Sequence, residues 1–432
     1  MGSRVFWRRS ATAAWVYGSV VLGFLGTVVA TRVLGLEDYG VYATALVAVG
    51  FFQVLLDLTV EEPLTKFGFR YVVAGEWGKL RRLFVRALQL KAAGGLLAAL
   101  ALVAMAPLAD AIFGSDELTG AILVGSLLPL VQATENVGAT ALLLHGRYDL
   151  RGAYQAFGML LRLGAIALGA PHGVVATVAA LVVAQAVATV SVSVAGLVFF
   201  RRFPSAPSSP LGEDRREVVS FVLQSSAGTG VVSLRTTLVS LVLGVVAGPT
   251  QVGLFRIAQT PQTGLVAASS PARLMLLTDQ THAWERGHER SVLAGIRTYT
   301  LVAGAIMIAA VPLALWAMPW LVEFFFGAEY LGAVDAARIV LVAAAVQFAL
   351  GWSKSLPVTI GRPRLRIVTH GLEALVVIPL VAVLGAEWGA TGAAVAVLVA
   401  TLVFAAAWAV ALARLRIDVA STPGSADGAV AP

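Results

Sequence analysis

The sequence predicts an all-α integral membrane protein with 12 transmembrane helices in two six-helix lobes. Three observations lead to this fold: the composition, the recurrence of long apolar stretches, and the distribution of charge between loops. Of 432 residues, 58% are hydrophobic and 13% are charged, and the mean hydropathy is +0.85. A soluble core cannot bury so much apolar surface. The lipid bilayer must therefore surround most of the chain.

Apolar stretches long enough to cross a membrane recur along nearly the whole chain. About 20 residues at about 1.5 Å each span roughly 30 Å of hydrocarbon. We place spans at about 10–34, 39–64, 84–107, 118–144, 152–169, 173–200, 218–246, 251–276, 293–317, 333–356, 366–385 and 389–413. This parse gives an N-terminal lobe (1–200), a cytosolic linker (201–217), a C-terminal lobe (218–416) and a disordered cytosolic tail (417–432).

Charged residues alternate between the loops on the two sides of these spans. Basic residues are concentrated in cytoplasmic loops of membrane proteins, and one set of loops carries Arg8, Lys79, Arg147, Arg201, Arg290, Arg364 and Arg414. The opposite loops carry acidic residues such as Asp38, Asp116 and Glu329. The pattern predicts a multi-pass protein of the cytoplasmic (inner) membrane with both termini cytoplasmic. Charge placed in this way does not indicate nucleic-acid binding.

The two halves repeat each other. Three pairs of positions are separated by the same offset of 213 residues: Gly35 with Gly248, Gly40 with Gly253, and Gly114 with Gly327. An even number of spans separates equivalent points, so the repeat is parallel rather than inverted. Transporters built from such repeats bind their substrate between the two lobes.

The first hairpin carries the pattern Arg-x-Leu-Gly-x-x-x-Tyr-Gly-x-Tyr, formed by Arg32, Leu34, Gly35, Tyr39, Gly40 and Tyr42. With the stretch 248–259 of the second half, it resembles the polysaccharide-repeat (Wzx-type, O-antigen/teichoic acid) flippases of the multidrug/oligosaccharidyl-lipid/polysaccharide exporter superfamily. The resemblance implies a V-shaped, MATE-like pair of helix bundles around a central cavity. It also implies that the cargo is a polyprenyl-diphosphate oligosaccharide.

Cations inside the predicted spans are the candidate substrate-binding residues, because a charge in the bilayer needs a partner or a wet cavity. A guanidinium offers a planar fork of donors to phosphate oxygens. The candidates are Arg162, Arg235, Arg256, Arg32, Gln259 and Lys354. For Arg162 a structural ion pair with Glu135 is the alternative, for Arg256 and Lys354 it is anchoring at the interface, and for Arg32 it is pairing with Glu37 or Asp38.

Carboxylates inside the spans are candidates for coupling transport to a proton or sodium ion. Glu135 in span four is the first of them, with a helix-packing hydrogen bond as its alternative. Asp57 in span two is the second, and there we favour a solvated carboxylate that faces Lys66 and Arg70.

The absence of several sequence motifs argues against some classes of function. It has no cysteine, so no thiolate metal site is possible, and it has no phosphate-binding loop for ATP. We expect no cofactor, no metal and no enzymatic activity. The preferred function is a flippase that works with membrane lipid and with glycosyltransferases of the same pathway. A multidrug or organic-cation antiporter of the same superfamily is the alternative, and a membrane glycan polymerase or glycosyltransferase is a third possibility.

Overall fold

The computed structural model describes residues 3–266, 280, 284, 286, 288–354, 356–360 and 364–421. This part of the chain is almost entirely helical and contains no strand. Within it, nine helical segments are long and apolar enough to cross a membrane. The prediction of an all-helical, multi-pass membrane protein is confirmed.

The N-terminal half contains nine α-helices. Their bounds are α1 Ser3–Leu56, α2 Glu61–Ala74, α3 Trp77–Met105, α4 Ala109–Phe113, α5 Glu117–Gly125, α6 Leu127–Gln132, α7 Glu135–Leu144, α8 Tyr148–Gly169 and α9 Val174–Phe200. The predicted fourth span is thus divided into α5, α6 and α7. Pro129 stands in the first turn of α6, where its missing N–H costs no helical hydrogen bond.

The C-terminal half contains six α-helices whose two ends both lie within the described residues. They are α10 Asp214–Ala247, α11 Pro249–Ala258, α12 Glu289–Phe326, α13 Val334–Ala349, α14 Leu356–Thr359 and α15 Arg364–Ser421. Residues 260–266 are also helical. The remainder of the predicted eighth span, 267–276, lies outside the described residues. So does the predicted tail from 422 onward, whereas its first five residues, 417–421, continue α15.

Two helices are too long for one crossing and are broken at a glycine. α1 has 54 residues and contains non-helical Gly35 (φ 75°, ψ 176°). α15 has 58 residues and contains non-helical Gly389 (φ 56°, ψ −133°). At about 1.5 Å per residue each would exceed 80 Å if straight, well beyond a bilayer. Both glycines adopt positive φ values, which residues with a Cβ rarely do, and they interrupt each helix.

The internal repeat is visible in the backbone at its first anchor. Gly248, which follows Gly35 by 213 positions, has φ 85° and ψ 170°, close to the values at Gly35. Each glycine joins one long helix to the next helix of its half. The sequence repeat at these two positions therefore corresponds to the same local structure.

The two halves touch where the helices that follow these glycines cross. We call this the far end of the molecule, and the end that carries residues 201–213 the linker end. A Cβ on Gly40 would lie 2.6 Å from the Pro249 carbonyl oxygen, and one on Gly253 would lie 3.1 Å from the Gly40 Cα. Only glycine permits such a close approach. α1 and α11 are thus in backbone contact at the far end.

At the linker end, α10 packs against the N-terminal half. Glu217 of α10 accepts hydrogen bonds from Arg70 at 2.7 Å, and Asp214 pairs with Lys79 at 3.0 Å. The Phe67 and Phe221 rings meet edge to face, 5.8 Å apart. The hydrogen bond from Arg70 to Glu217 raises the pKa of Arg70. The first turns of α10 therefore belong structurally to the N-terminal half.

Candidate functional site

A cavity of about 1000 Å³ lies between the two halves. Its walls come mainly from α1, α8 and α9 of the N-terminal half and from α11, residues 259–264, α12 and α13 of the C-terminal half. Most of the surface is apolar. The polar side chains that line it are Ser19, Thr27, Tyr39, Tyr42, Gln53, Gln132, Gln155, Arg162, Gln185, Arg256, Gln259, Thr260 and Thr263.

Two of the predicted arginines line this cavity together. Arg162 stands seven residues before the end of α8, and Arg256 stands seven residues after the start of α11. Each is therefore about 10 Å from the far end of its helix. Both side chains are exposed to the cavity. Neither forms an ion pair with any residue that the structure describes.

The ring pair Tyr39 and Tyr42 lies on the same part of the cavity wall. Both tyrosines are 5% exposed, and their ring centroids are 6.1 Å apart. Both line the cavity together with Arg256. The two phenols and the two guanidiniums form a group of donors at one depth of the cavity, which we call the cationic belt (Tyr39, Tyr42, Arg162 and Arg256).

Closer to the linker end the polar lining changes from arginine to glutamine. Gln53 donates to the Gln132 side-chain oxygen at 2.6 Å. Gln155 donates to the Ser19 hydroxyl at 3.2 Å. Gln259, a predicted site residue, lines the C-terminal side with Thr263. Side-chain amides carry both donors and acceptors, so this part of the cavity suits hydroxyl groups and other neutral polar partners.

An apolar wall faces the polar lining where α1 and α12 approach each other. Phe24, Met318, Leu321 and Phe325 belong to it, and the Phe24 and Phe325 rings meet edge to face at 5.0 Å. On the same stretch of α1, Val21 is 57% exposed. The cavity thus combines a cationic polar side with a lipid-like side.

Three predicted substrate-binding residues lie outside this cavity. Arg235 pairs with Glu373 of α15 and, with Lys354, lines a separate cavity of about 70 Å³ in the C-terminal half. Arg32 donates to the backbone carbonyls of Phe325 (3.0 Å) and Glu323 (3.1 Å) at the end of α12. The carbonyls of a last helical turn lack intrahelical partners, so Arg32 caps α12 rather than pairing with Glu37 or Asp38.

The expected surroundings of Asp57 are wrong. This residue does not face Lys66 and Arg70, which both pair with Glu217. It pairs instead with Lys91 of α3 at 2.6 Å, and both side chains are largely buried. The reason is the position of the helix break: α1 ends at Leu56 and α2 begins at Glu61, so Asp57 lies in a turn against α3 and not on a helix with Lys66.

Glu135 accepts a hydrogen bond from Gln185 of α9 at 2.7 Å. The alternative ion pair between Glu135 and Arg162 is absent. Glu135 stands behind the cavity wall, whereas its partner Gln185 lines the cavity.

Sequence reasoning missed three buried titratable residues. Lys91 lies in the predicted third span, and His370 and Glu373 lie in the predicted eleventh; all three are at most 8% exposed in their side chains. The rule that singled out Arg162, namely that a charge within an apolar span marks a functional or paired group, identifies Lys91 and Glu373 equally well.

An all-helical, multi-pass membrane protein with a cavity between two repeated halves, mostly apolar but with polar groups in its lining, has the architecture of a membrane transporter. The chain belongs to a family described as polysaccharide biosynthesis protein, whose sequence model matches residues 29–335. This match confirms the family resemblance found in the sequence. A comparison with curated protein sequences found no match.

Solved structures similar to this fold include membrane transporters. An inward-facing multidrug resistance MATE family transporter of the MOP superfamily is similar with a TM-score of 0.71 and 15% identity, over 94% of this chain and 96% of that chain. The lipid II flippase MurJ in an inward closed conformation gives 0.70 and 11%, over 93% and 87%. An outward-facing MATE transporter gives 0.59 and 14%, over 95% and 97%.

Proposed function

We propose that this protein is a flippase that moves a polyprenyl-(di)phosphate-linked oligosaccharide across the cytoplasmic membrane for surface polysaccharide or glycoprotein assembly. The observation that carries the proposal is the cationic belt. Arg162 and Arg256 face a shared cavity, and no carboxylate lines that cavity among the described residues. Two uncompensated guanidiniums at membrane depth favour an anionic ligand.

The energetics of the belt support a phosphate ligand. Leaving a cation inside the bilayer costs about 2.5–3.5 kcal/mol even on the lenient insertion scale. A bound diphosphate offsets this cost, because guanidinium–phosphate hydrogen bonds are charge-assisted and bidentate. The hydroxyls of Tyr39 and Tyr42 add donors to the same group.

The rest of the cavity suits the other two parts of such a cargo. The glutamine-lined part offers paired donors and acceptors to sugar hydroxyls. The apolar wall between α1 and α12 suits the first isoprene units of the carrier, whose remaining chain stays in lipid. A cavity of about 1000 Å³ is at the upper end of the range for small-ligand sites, about 300–1000 Å³.

The proposal includes the predicted topology of 12 spans in two six-helix lobes with both termini cytoplasmic. The breaks at Gly35 and Gly389 support it, because they let α1 and α15 cross twice each. α11 and residues 260–266 supply the start of a further span. The linker end carries Lys79, Arg147 and Arg201, so the positive-inside rule places it in the cytoplasm, where glycosyltransferases of the same pathway would deliver cargo.

The test is lipid flipping in proteoliposomes with a fluorescent polyprenyl-diphosphate disaccharide, whose headgroup is quenched from outside. We expect Arg162→Ala and Arg256→Ala each to lower the flipping rate at least about tenfold, the effect of losing about 1.4 kcal/mol of binding. Folding should survive, because neither arginine holds an ion pair within the described part of the chain. Arg338→Ala is the matched control, since Arg338 pairs with Asp335 outside the cavity.

Wild-type flipping by both cavity variants would overturn the assigned site. The alternative function, organic-cation antiport, predicts a different pattern. Efflux of a cationic dye that depends on Asp57 or Glu135, with no movement of the glycolipid, would replace the flippase by that antiporter.

A further inference from the structure

A second polar site lies inside the C-terminal half, apart from the large cavity. Arg235 of α10, His370 and Glu373 of α15 form one network, which we call the α10–α15 triad. Arg235 pairs with one Glu373 oxygen, and the His370 Nδ1 lies 3.1 Å from the other. The Glu373 side chain is only 2% exposed. One carboxylate is therefore shared between a guanidinium and an imidazole.

The triad borders the small cavity of about 70 Å³. The charged and titratable groups that line this cavity are Arg235, Lys354, His370 and Glu373, and the neutral polar groups are Gln262, Gln347 and Ser353. The Arg235 Nε is buried and has no hydrogen-bond partner among the described residues. At about 70 Å³ this polar cavity has room for water, so a proton donor can stand beside the triad.

The charge count of the triad makes it sensitive to one proton. With neutral His370, the pair of Arg235 and Glu373 is balanced. An added proton on the carboxylate or the imidazole leaves one net positive charge in a buried site. A buried charge that loses its oppositely charged partner destabilises the structure. Histidine is the side chain that ordinarily changes charge between pH 5 and 8.

The triad also holds a helix that connects the two halves. Arg235 fastens the later turns of α10 to α15. The first turns of α10 are fastened to α2 and α3 through Glu217 and Asp214. Between these attachments are Gly228 and Gly230, where an added Cβ would meet no atom within 4 Å in the described part of the chain. α10 is therefore tied at both ends and open to bending between them.

We propose that the α10–α15 triad is a proton-binding site that couples pH to the relative position of the two halves. Protonation weakens the Arg235–Glu373 pair, releases the later turns of α10 from α15 and lets the halves rearrange. No covalent bond changes within the chain's backbone or side-chain skeleton; one proton is taken up and later returned to water. The site rests on the assignment of the protein as a transporter but not on the identity of its cargo.

The structure favours a proton over sodium at this site. A sodium ion needs free carboxylate or carbonyl oxygens, whereas both Glu373 oxygens already contact cationic or protonatable nitrogen. Arg235 already places a positive charge against this carboxylate, which disfavours a metal cation beside it.

The test uses the full-length protein with spin labels on two introduced cysteines. The introduced cysteines are Tyr148→Cys and Val368→Cys, which are both exposed at the linker end, in α8 and α15. Because the natural chain has no cysteine, these two positions are the only ones that take the label. Distances between the labels are measured in nanodiscs from pH 5 to pH 8. One coupled proton changes the ratio of two states by up to about tenfold per pH unit.

We expect the labelled protein to show this pH-dependent ratio and Glu373→Gln to show a ratio independent of pH. Asp335→Asn, a carboxylate that pairs with Arg338 on its own helix and holds neither attachment of α10, is the matched control and should keep the pH dependence. A full pH response in Glu373→Gln would overturn the proposal. So would a ratio that responds to sodium against potassium at constant pH.

A second variant keeps the test valid if Glu373→Gln fails to fold with Arg235 unpaired. Arg235→Met with Glu373→Met removes both charges together, which buried pairs often tolerate, and should also abolish the pH response. If the protein without these substitutions shows the pH response but does not flip the glycolipid, the proposed cargo is wrong and the proposal for the triad stands.

Discussion

Five charged residues inside the described part of this protein fall into three kinds that differ in their partners. Asp57 and Lys91 are paired with each other, Arg32 is satisfied by backbone carbonyls, and Arg162 and Arg256 face the cavity. The first two kinds stabilise the fold. Only the third has a free side to offer to a ligand, which is why the proposed function depends on those two arginines.

The buried pair of Asp57 and Lys91 gives a prediction about stability. Asp57→Ala leaves the Lys91 ammonium buried without its partner, and we expect a loss of about 3–5 kcal/mol in the free energy of unfolding. Denaturant titration of the purified protein in detergent measures it. Replacing both residues, Asp57→Ala with Lys91→Met, should recover most of the loss.

The exposed pair of Lys66 and Glu217 is the control for that experiment. Lys66→Ala should cost no more than about 1 kcal/mol, because surface ion pairs contribute little. Equal losses in Asp57→Ala and Lys66→Ala would contradict the distinction between a structural pair and a solvated one.

At single residues, the sequence predicts which positions carry charge in the membrane but not which charges meet. Arg162 and Arg256 are recognised because each is a cation within a predicted apolar span. The partnership of Arg235 with Glu373 joins residues 138 positions apart and depends on how α10 packs on α15. Local periodicity contains no information about that packing.

At the level of helices, the glycines at the far end decide how the halves meet. Adding a Cβ at Gly40 places it 2.6 Å from the Pro249 carbonyl, a contact that only a shift of α1 from α11 can relieve. We expect Gly40→Ala to cost about 1–3 kcal/mol, as overpacking does, and to increase the population with a separated far end. Denaturant titration and spin-label distances measure the two effects.

Gly50→Ala is the matched control for Gly40→Ala. Gly50 lies in the same helix, and a Cβ added there would meet no atom within 4 Å among the described residues. It should be neutral or slightly stabilising, because alanine favours helix. A larger loss at Gly50 than at Gly40 would contradict the close crossing.

Helix positions were predicted better than helix breaks. The division of the predicted fourth span into α5, α6 and α7 and the end of α1 at Leu56 were missed, since apolar windows respond to composition and not to backbone geometry. The glycine anchors were found because equal offsets can be read directly from the sequence. Gly35 and Gly248 then proved to share one backbone conformation.

We predict that the whole molecule lies in the membrane with its linker end in the cytoplasm and its far end outside. Val73 at the linker end is 86% exposed, and Leu331 at the far end is 41% exposed. We expect an impermeant maleimide added outside intact cells to label Leu331→Cys and not Val73→Cys. Permeabilised cells should label both, and labelling of Val73→Cys alone from outside would reverse the proposed topology.

The contact between Gly40 and Gly253 has a consequence for how this chain can vary. These residues occupy equivalent places in the two repeats, so a protein made of one repeat would bring the same glycine against its own copy across a dimer axis. Gene duplication turns that self-contact into two separately mutable positions. Each nevertheless remains confined by the backbone of the other repeat, so a side chain added at either position, or at both, should be disfavoured.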